Sequence, residues 1–363
     1  MTRIAYICNG LYNSAGMERV LTTRANFLCD KFDITFITYN QRNRPDFFAI
    51  DPRIHRIDIP ANNNKEFRHL LTELLIKEQY DITTTTGGAD FIFLHSINDG
   101  SKKIFESHFS FDISKVWLSD IQNRWKRELF IWGQTFRRIY HAKKYDQIVV
   151  LCKNDKKKWS RYCKNVTSIY NPLTIQTNEM SSLMNPKAIA VGRLHKQKGF
   201  DYLIDAWKLL HQKHKDWTLE IYGDGPLRQD LQEQIDYNHL QNVVLLKGKT
   251  NNIVNKYLDS SIFILSSRDE AFGLVITEAE TCGLPIVTFD CPSAPAELVE
   301  DGKNGYVVPL EDVRAMSDKI CKLIENEKLR KEMGMKSKEL SKKFQKETIM
   351  NIWEHLYSQL TTT

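Results

Sequence analysis

Short apolar runs alternate along the chain with longer stretches whose apolar positions recur every three or four residues. Ile4–Cys8 and Ile34–Tyr39 have the length and content of buried strands, and Met17–Asp30 between them has a helical spacing. A helix over Glu66–Glu78 precedes a strand near Asp81–Thr84, and a helix over residues 124–142 precedes a strand at Gln147–Leu151. After the turn signal Tyr170-Asn171-Pro172 the alternation restarts. Strand Ala188–Val191 leads to helix Phe200–His214, and Thr218–Tyr222 to Pro226–Asn238. Val243–Leu246 leads to Asn251–Ser260, Ile262–Leu265 to Leu274–Cys282, and Pro285–Thr288 to a loop and Asp312–Asn326. Repeated β-α units with continuously apolar strands predict parallel sheets covered by helices on both faces. Two such runs predict two doubly wound α/β domains, 1–172 and 173–343. Ligands are then expected at the carboxyl ends of the strands, toward a central cleft.

Composition narrows the class. A 363-residue chain with 42% hydrophobic and 26% charged residues has the profile of a globular protein of two domains, or three small ones. No apolar run approaches the roughly 20 residues of a membrane span. Ile4–Cys8, followed at once by Asn9-Gly10, is too short for a signal-peptide core. The seven cysteines contain no C-x-x-C pair and no metal-ligand spacing, which suits reduced thiols in a cytoplasm. A membrane-spanning protein, a disulfide scaffold and a zinc finger are thereby excluded.

The net charge of +6 is uneven. Residues 1–172 carry 27 Lys/Arg against 18 Asp/Glu, whereas residues 173–363 carry 24 against 27. Within the first part, residues 124–164 hold 13 basic and 3 acidic side chains, which calls for a polyanionic partner. In Arg124–Ala142 the larger apolar residues are Trp125, Leu129, Trp132, Phe136 and Ile139/Tyr140, one face of a helix flanked by Arg and Lys. Such a helix fits an anionic membrane surface. It equally fits a surface helix whose aromatic face packs on its own domain.

The second half holds the sharper chemistry. Gly192-Arg193 and Lys198-Gly199 put two cations between a strand and a helix, where phosphate oxygens meet a guanidinium fork, an ammonium and a helix N-terminus. Surface ion pairs flanking a helix start would leave the same pattern. Gly223-Asp224-Gly225-Pro226 ends a strand in a turn that lets a backbone approach a ligand, or simply makes a tight connection. Glu270 follows a buried strand, Glu278 lies eight residues later on the next helix, and Phe272-Gly273-Leu274 supply amides at that helix's start. Glu278 suits a ribose diol and Glu270 a sugar hydroxyl; Glu270 also reads as an ordinary acid near a helix start and Glu278 as a solvated helix residue.

Taken in order, these motifs resemble the retaining family 4 glycosyltransferases, of GT-B architecture with two facing Rossmann-like domains. The resemblance extends through Glu278-Ala279…Cys282-Gly283-Leu284-Pro285, Pro295-Ala296-Glu297-Leu298…Asp301-Gly302-Lys303-Asn304-Gly305 and Leu151…Tyr170-Asn171-Pro172. It implies that residues 344–363, with Phe344 and Trp353, form a last helix crossing back to the first domain. Arg193 and Lys198 would grip a donor diphosphate, Glu278 the ribose and Glu270 the donor sugar, with the Phe272–Leu274 amides and Gly223 completing the site. Ala15-Gly16-Met17-Glu18-Arg19 is similar to the family's Gly-Gly-x-Glu-Arg loop, with Ala15 replacing the first glycine and Gly16 kept. Ala271 likewise stands where a glycine commonly follows the first glutamate. Glu106-Ser107-His108-Phe109 resembles the segment whose histidine faces the donor sugar, which makes His108 a catalytic candidate with His95 as its competitor.

The implied reaction moves a sugar from a nucleotide-diphosphate donor, of UDP type by family frequency, to a hydroxyl of a glycan or lipid-linked glycan in bacterial surface-polysaccharide assembly. Cations suit the leaving diphosphate, and the chain has no Asp-x-Asp motif, so neither metal nor other cofactor is expected. The enzyme is expected in the cytoplasm, peripheral to the inner face of the membrane through 124–164. A GT-B sugar-nucleotide epimerase and a silent sugar-nucleotide binding subunit are the alternatives. A nucleic-acid partner is not expected, because no helix-turn-helix, zinc or RNA-binding signature accompanies the basic cluster.

Overall fold

The computed structural model describes residues 1–362, which fold as two units: residues 1–174 with 346–362, and residues 175–345. The first unit contains strands β1 (Arg3–Cys8), β2 (Asp33–Thr38), β3 (His55–Asp58), β4 (Ile82–Thr85), β5 (Lys102–Ser107), β6 (Gln147–Val150) and β7 (Val166–Ser168). Its helices are α1 (Gly16–Leu28), α2 (Asn64–Glu78), α3 (Ile113–Trp117), α4 (Arg124–Ala142) and α5 (Lys153–Trp159). The sheet order is β3-β2-β1-β4-β5-β6-β7, all parallel. Successive residues of β1 serve opposite cores, as a strand buried on both faces requires. Ile4, Tyr6 and Cys8 join α1, whereas Ala5 and Ile7 join Phe67, Leu71 and Leu75 of α2.

The second unit holds β8 (Lys187–Val191), β9 (Thr218–Tyr222), β10 (Val244–Gly248), β11 (Ile262–Leu265), β12 (Ile286–Phe289) and β13 (Gly305–Val308). Helices α6 (Phe200–His211), α7 (Arg228–Tyr237), α8 (Ile253–Leu258), α9 (Leu274–Thr281), α10 (Pro295–Leu298), α11 (Val313–Glu325) and α12 (Glu327–Ser341) cover it. The order is β10-β9-β8-β11-β12-β13, again parallel. In each sheet the strand order reverses once, beside β1 and β4 in the first and beside β8 and β11 in the second, and such a reversal opens a crevice at the carboxyl ends of the strands.

The final helix, α13 (Lys346–Thr362), packs Ile349, Met350, Trp353, Leu356 and Tyr357 into the core of the first unit. Phe344, expected on that helix, instead lies in a preceding 3₁₀ turn of the second unit, fully buried and edge-on to Phe272 at 5.7 Å. Strand β5 had no counterpart in the apolar pattern, because two of its six residues are buried charges, Lys103 paired with Asp99 and Glu106 paired with Arg24. Edge strand β3 is polar and largely exposed, so no run of apolar residues marks it.

Helix α4 spans the expected residues, but its aromatic face does not pack on its own unit. Trp125 is 87% exposed, Trp132 67% and Phe136 57%, with Trp132 and Phe136 stacked on each other at 5.5 Å. Only Ile139 and Ala142 in its last turn are buried. Among the described residues no helix is long and apolar enough to cross a membrane.

Candidate functional site

In the second unit Arg193, Lys198, Gly223 and Glu270 stand in loops after strands, Phe272–Leu274 at the start of α9, and Glu278 within that helix. The loop after β8 runs from Gly192 through a 3₁₀ turn at Lys196–Lys198 and enters α6 through Gly199, whose φ of +61° is the left-handed conformation suited to glycine. The loop after β11 lies directly on it. Arg268 donates its amide to the Gln197 carbonyl at 2.7 Å and its guanidinium to the Lys196 carbonyl at 2.7 Å. The same guanidinium reaches both Asp201 oxygens, at 2.9 and 2.5 Å, and lies over the Tyr202 ring. The Ser266 hydroxyl donates to the Lys198 carbonyl at 2.9 Å, and Gln197 Nε2 to the Asp269 carbonyl at 3.1 Å. These bonds fix the two loops as one surface at the strand reversal.

On that surface Lys198 Nζ donates to Glu270 Oε2 at 2.5 Å, and the Ser267 hydroxyl approaches the same oxygen at 3.4 Å. Residues 72 apart in sequence therefore form one ionic couple, both partners largely shielded from solvent. Arg193 is exposed beside them in the chain. Backbone pairing of Glu270 with Ser293 brings in a non-glycine residue at φ +94°, a strained conformation of the kind concentrated at working sites. Phe272 is buried, Gly273 caps α9 at φ +91°, and Leu274 begins the helix whose first amides lack intrahelical acceptors.

Glu278 is more enclosed than a solvated helix acid. It is buried in α9, and its Oε2 accepts a hydrogen bond from the Tyr257 hydroxyl at 3.0 Å. The glycines of the turn after β9 have a packing task that the motif did not reveal. A Cβ at Gly223 would lie 1.9 Å from the Gly192 carbonyl oxygen, and one at Gly225 2.4 Å from that of Leu194. Gly192 donates its amide to the Tyr222 carbonyl and Leu194 to that of Asp224, so this turn props up the loop carrying Arg193.

In the first unit, Gly16 opens α1 on an exposed turn after Ala15, whose side chain cannot cap the helix. Glu18, one turn in, is buried; burial raises its carboxyl pKa against smaller pulls from its own amide, Asn13 and His108. His108 follows β5, with Nε2 3.1 Å from Glu106 Oε1. Its competitor His95 is engaged elsewhere, with Nε2 3.0 Å from Nδ1 of His141.

Sequence reasoning missed Arg268, Asp201, Tyr257 and Ser293. Each acts through a partner at least 21 residues away, so no local spacing marks it. Among the described residues no group of three or more His, Cys, Asp or Glu side chains is arranged to hold a metal ion.

The family described as glycosyl transferases group 1 matches residues 175–340. An uncharacterized glycosyltransferase of Haemophilus influenzae is 31% identical over 98% of this chain and 99% of its own length. The amylovoran biosynthesis glycosyltransferase AmsD of Erwinia amylovora is 24% identical over 98% and 99%. Among solved structures, a point variant of S. aureus TarM in complex with fondaparinux, α-GlcNAc-glycerol and UDP superposes with a TM-score of 0.80 at 17% identity, covering 98% of this chain and 100% of that one. The last likeness shows the fold, which is that of the GT-B glycosyltransferases. On the near full-length match to the Haemophilus influenzae protein and the family's match to the second unit, the chain belongs to the group 1 glycosyl transferases.

Proposed function

We propose that this glycosyltransferase moves a sugar from a UDP-sugar to a hydroxyl of a glycan or lipid-linked glycan during bacterial polysaccharide assembly, with retention at the anomeric carbon and without a metal ion. The observation that carries the reading is the Lys198–Glu270 couple, held at the strand reversal by Arg268 beside Arg193 and the start of α9. Arg193, Lys198 and the Phe272–Leu274 amides supply positive charge for a diphosphate. Glu270 serves the hydroxyls of the transferred sugar, and Glu278, oriented by Tyr257, serves the ribose. Gly223 keeps the Arg193 loop in place, Gly16 belongs to the phosphate-side loop of the first unit, and His108 works on the transferred sugar.

In the proposed step the acceptor oxygen bonds to the anomeric carbon on the face from which the diphosphate departs. The electron pair of the breaking carbon–oxygen bond goes to the β-phosphate, which also takes the acceptor's proton. Arg193 and Lys198 stabilise that developing charge, which is the largest electrostatic task of the reaction. Support for a UDP donor comes from TarM, solved with UDP, and support for a polysaccharide acceptor from AmsD, named for amylovoran biosynthesis. The exposed aromatic face of α4 and the basic stretch around it support a peripheral position on the anionic inner face of the membrane.

The experiment is turnover with UDP-sugars, with the anomer of the product read by NMR and the rate measured with and without EDTA. A retained anomer at an undiminished rate in EDTA is expected. An inverted product, a sugar trapped covalently on Glu270, or loss of turnover in EDTA overturns the corresponding part of the proposal.

A further inference from the structure

One charged cluster in the first unit has no part in the donor site described above. Arg24 of α1 and Glu106 of β5 form a fully buried bidentate pair, Nη1 to Oε1 at 3.0 Å and Nη2 to Oε2 at 2.6 Å. Three aromatic residues enclose it. The guanidinium lies 3.8 Å from the centroid of Trp353 and 4.9 Å from that of Tyr6, and the Tyr6 hydroxyl meets that of Tyr357 at 2.8 Å. Trp353 and Tyr357 belong to α13, so the returning C-terminal helix seals this pair into the first unit.

Stability alone is a poor reason for such a pair. Taking both ions out of water is costly, and apolar residues of similar volume often serve as well or better. Arg24 Nε moreover has no hydrogen-bond partner at all. The pair does have a second consequence. Burial pushes the Glu106 carboxyl up, but Arg24, with help from His108, outweighs it and holds the pKa down at about 2. Glu106 is thus a permanent anion, and its Oε1 faces the buried Nε2 of His108 at 3.1 Å, off the line of a hydrogen bond. An anion 3.1 Å away attracts a proton on that nitrogen and repels a bare lone pair there, so the proton belongs on Nε2. Nδ1 is then the nitrogen left to meet a ligand. Glu18, buried and charge-coupled to the same histidine, is the other acid near the ring.

We propose that Arg24 and Glu106 are positioning residues: the buried Arg24–Glu106 pair, closed over by α13, fixes the protonation pattern and orientation of the His108 ring for work on the donor sugar. This rests on the assignment of His108 above, and the test separates the two. The full chain, with ring-¹⁵N histidine, is compared with Glu106→Gln and with a double variant combining Arg24→Met and Glu106→Leu; His108→Asn assigns the signal. Thermal unfolding and release of UDP from UDP-N-acetylglucosamine and UDP-glucose are followed alongside.

The double variant is expected to melt within a few degrees of the parent while the His108 nitrogens shift toward values averaged over both tautomers. UDP release should fall at least tenfold in kcat with little change in KM, and Glu106→Gln should add nothing once His108→Ala is present. Unchanged ring signals and unchanged UDP release in the folded double variant would make the pair purely structural and overturn the inference. If the double variant does not fold, Glu106→Gln decides by the same two readouts. Full UDP release by His108→Ala would instead remove the assignment of His108, while the ring signals still report whether Glu106 sets its protonation.

Discussion

Gly223 lies so close to Gly192 that a side-chain carbon at position 223 would stand 1.9 Å from the Gly192 carbonyl oxygen, and its φ of +137° is closed to other residues without strain. Gly223→Ala must therefore move the loop that carries Arg193. Strain at positive φ and overpacking together predict a loss on the order of 2–4 kcal/mol from the second unit. Donor affinity should fall with it, although residue 223 offers the donor no side chain. Thermal unfolding and UDP titration check this; a fully stable variant with weakened UDP binding would instead give Gly223 a direct ligand contact.

Asp90 makes stability depend on pH. It is fully buried, and burial pushes its carboxyl up to about 7 against the smaller pull of the Thr85 hydroxyl and its own amide. A raised folded pKa means that the folded state keeps a proton the unfolded state has lost. The contribution is whole below the unfolded pKa of about 4 and is lost as pH rises through 7, by up to about 1.4 kcal/mol per pH unit. Asp90→Asn should remove this slope and leave the first unit more stable than wild type at pH 8, with little difference at pH 4. Denaturation midpoints at the two pH values decide; parallel behaviour of the two proteins would contradict it.

The α4 surface should bind anionic membranes. Vesicles containing phosphatidylglycerol should capture the protein at low salt and release it as salt screens the basic residues, whereas neutral vesicles should not. Replacing Trp125, Trp132 and Phe136 together by alanine should abolish capture without lowering the melting temperature, because all three side chains face solvent. Equal binding to neutral and anionic vesicles would contradict the membrane reading.

Legibility in the sequence followed the locality of the physics. Strands β9 and β11 have the expected limits: Ile262–Leu265 is a short apolar run between two serines, and Thr218–Tyr222 alternates Leu219 and Ile221 with Glu220 up to the glycine turn at Gly223. Strand β5 was hidden because its buried charges find partners elsewhere, Glu106 at Arg24, 82 residues back. Periodicity placed Trp125, Trp132 and Phe136 on one face of α4, but it reports which side chains share a face and not what covers that face. The motifs that carry Lys198 and Glu270 were legible in the sequence. The lock that assembles them, Arg268 on Asp201 and on the Lys196 carbonyl, was not, because only folding brings the two loops together.

The most direct measurement is a thermal-shift panel with UDP, GDP, ADP and their common sugar conjugates, each with and without EDTA. A ligand at 100 times its dissociation constant adds about 2.7 kcal/mol to stability, which is readily visible as a rise in melting temperature. UDP or a UDP-sugar is expected to stabilise the wild-type protein equally in both conditions, and to lose that effect in Arg193→Ala and Lys198→Ala. Stabilisation that persists in both variants, or that disappears in EDTA, would contradict a metal-independent diphosphate site built on these two cations.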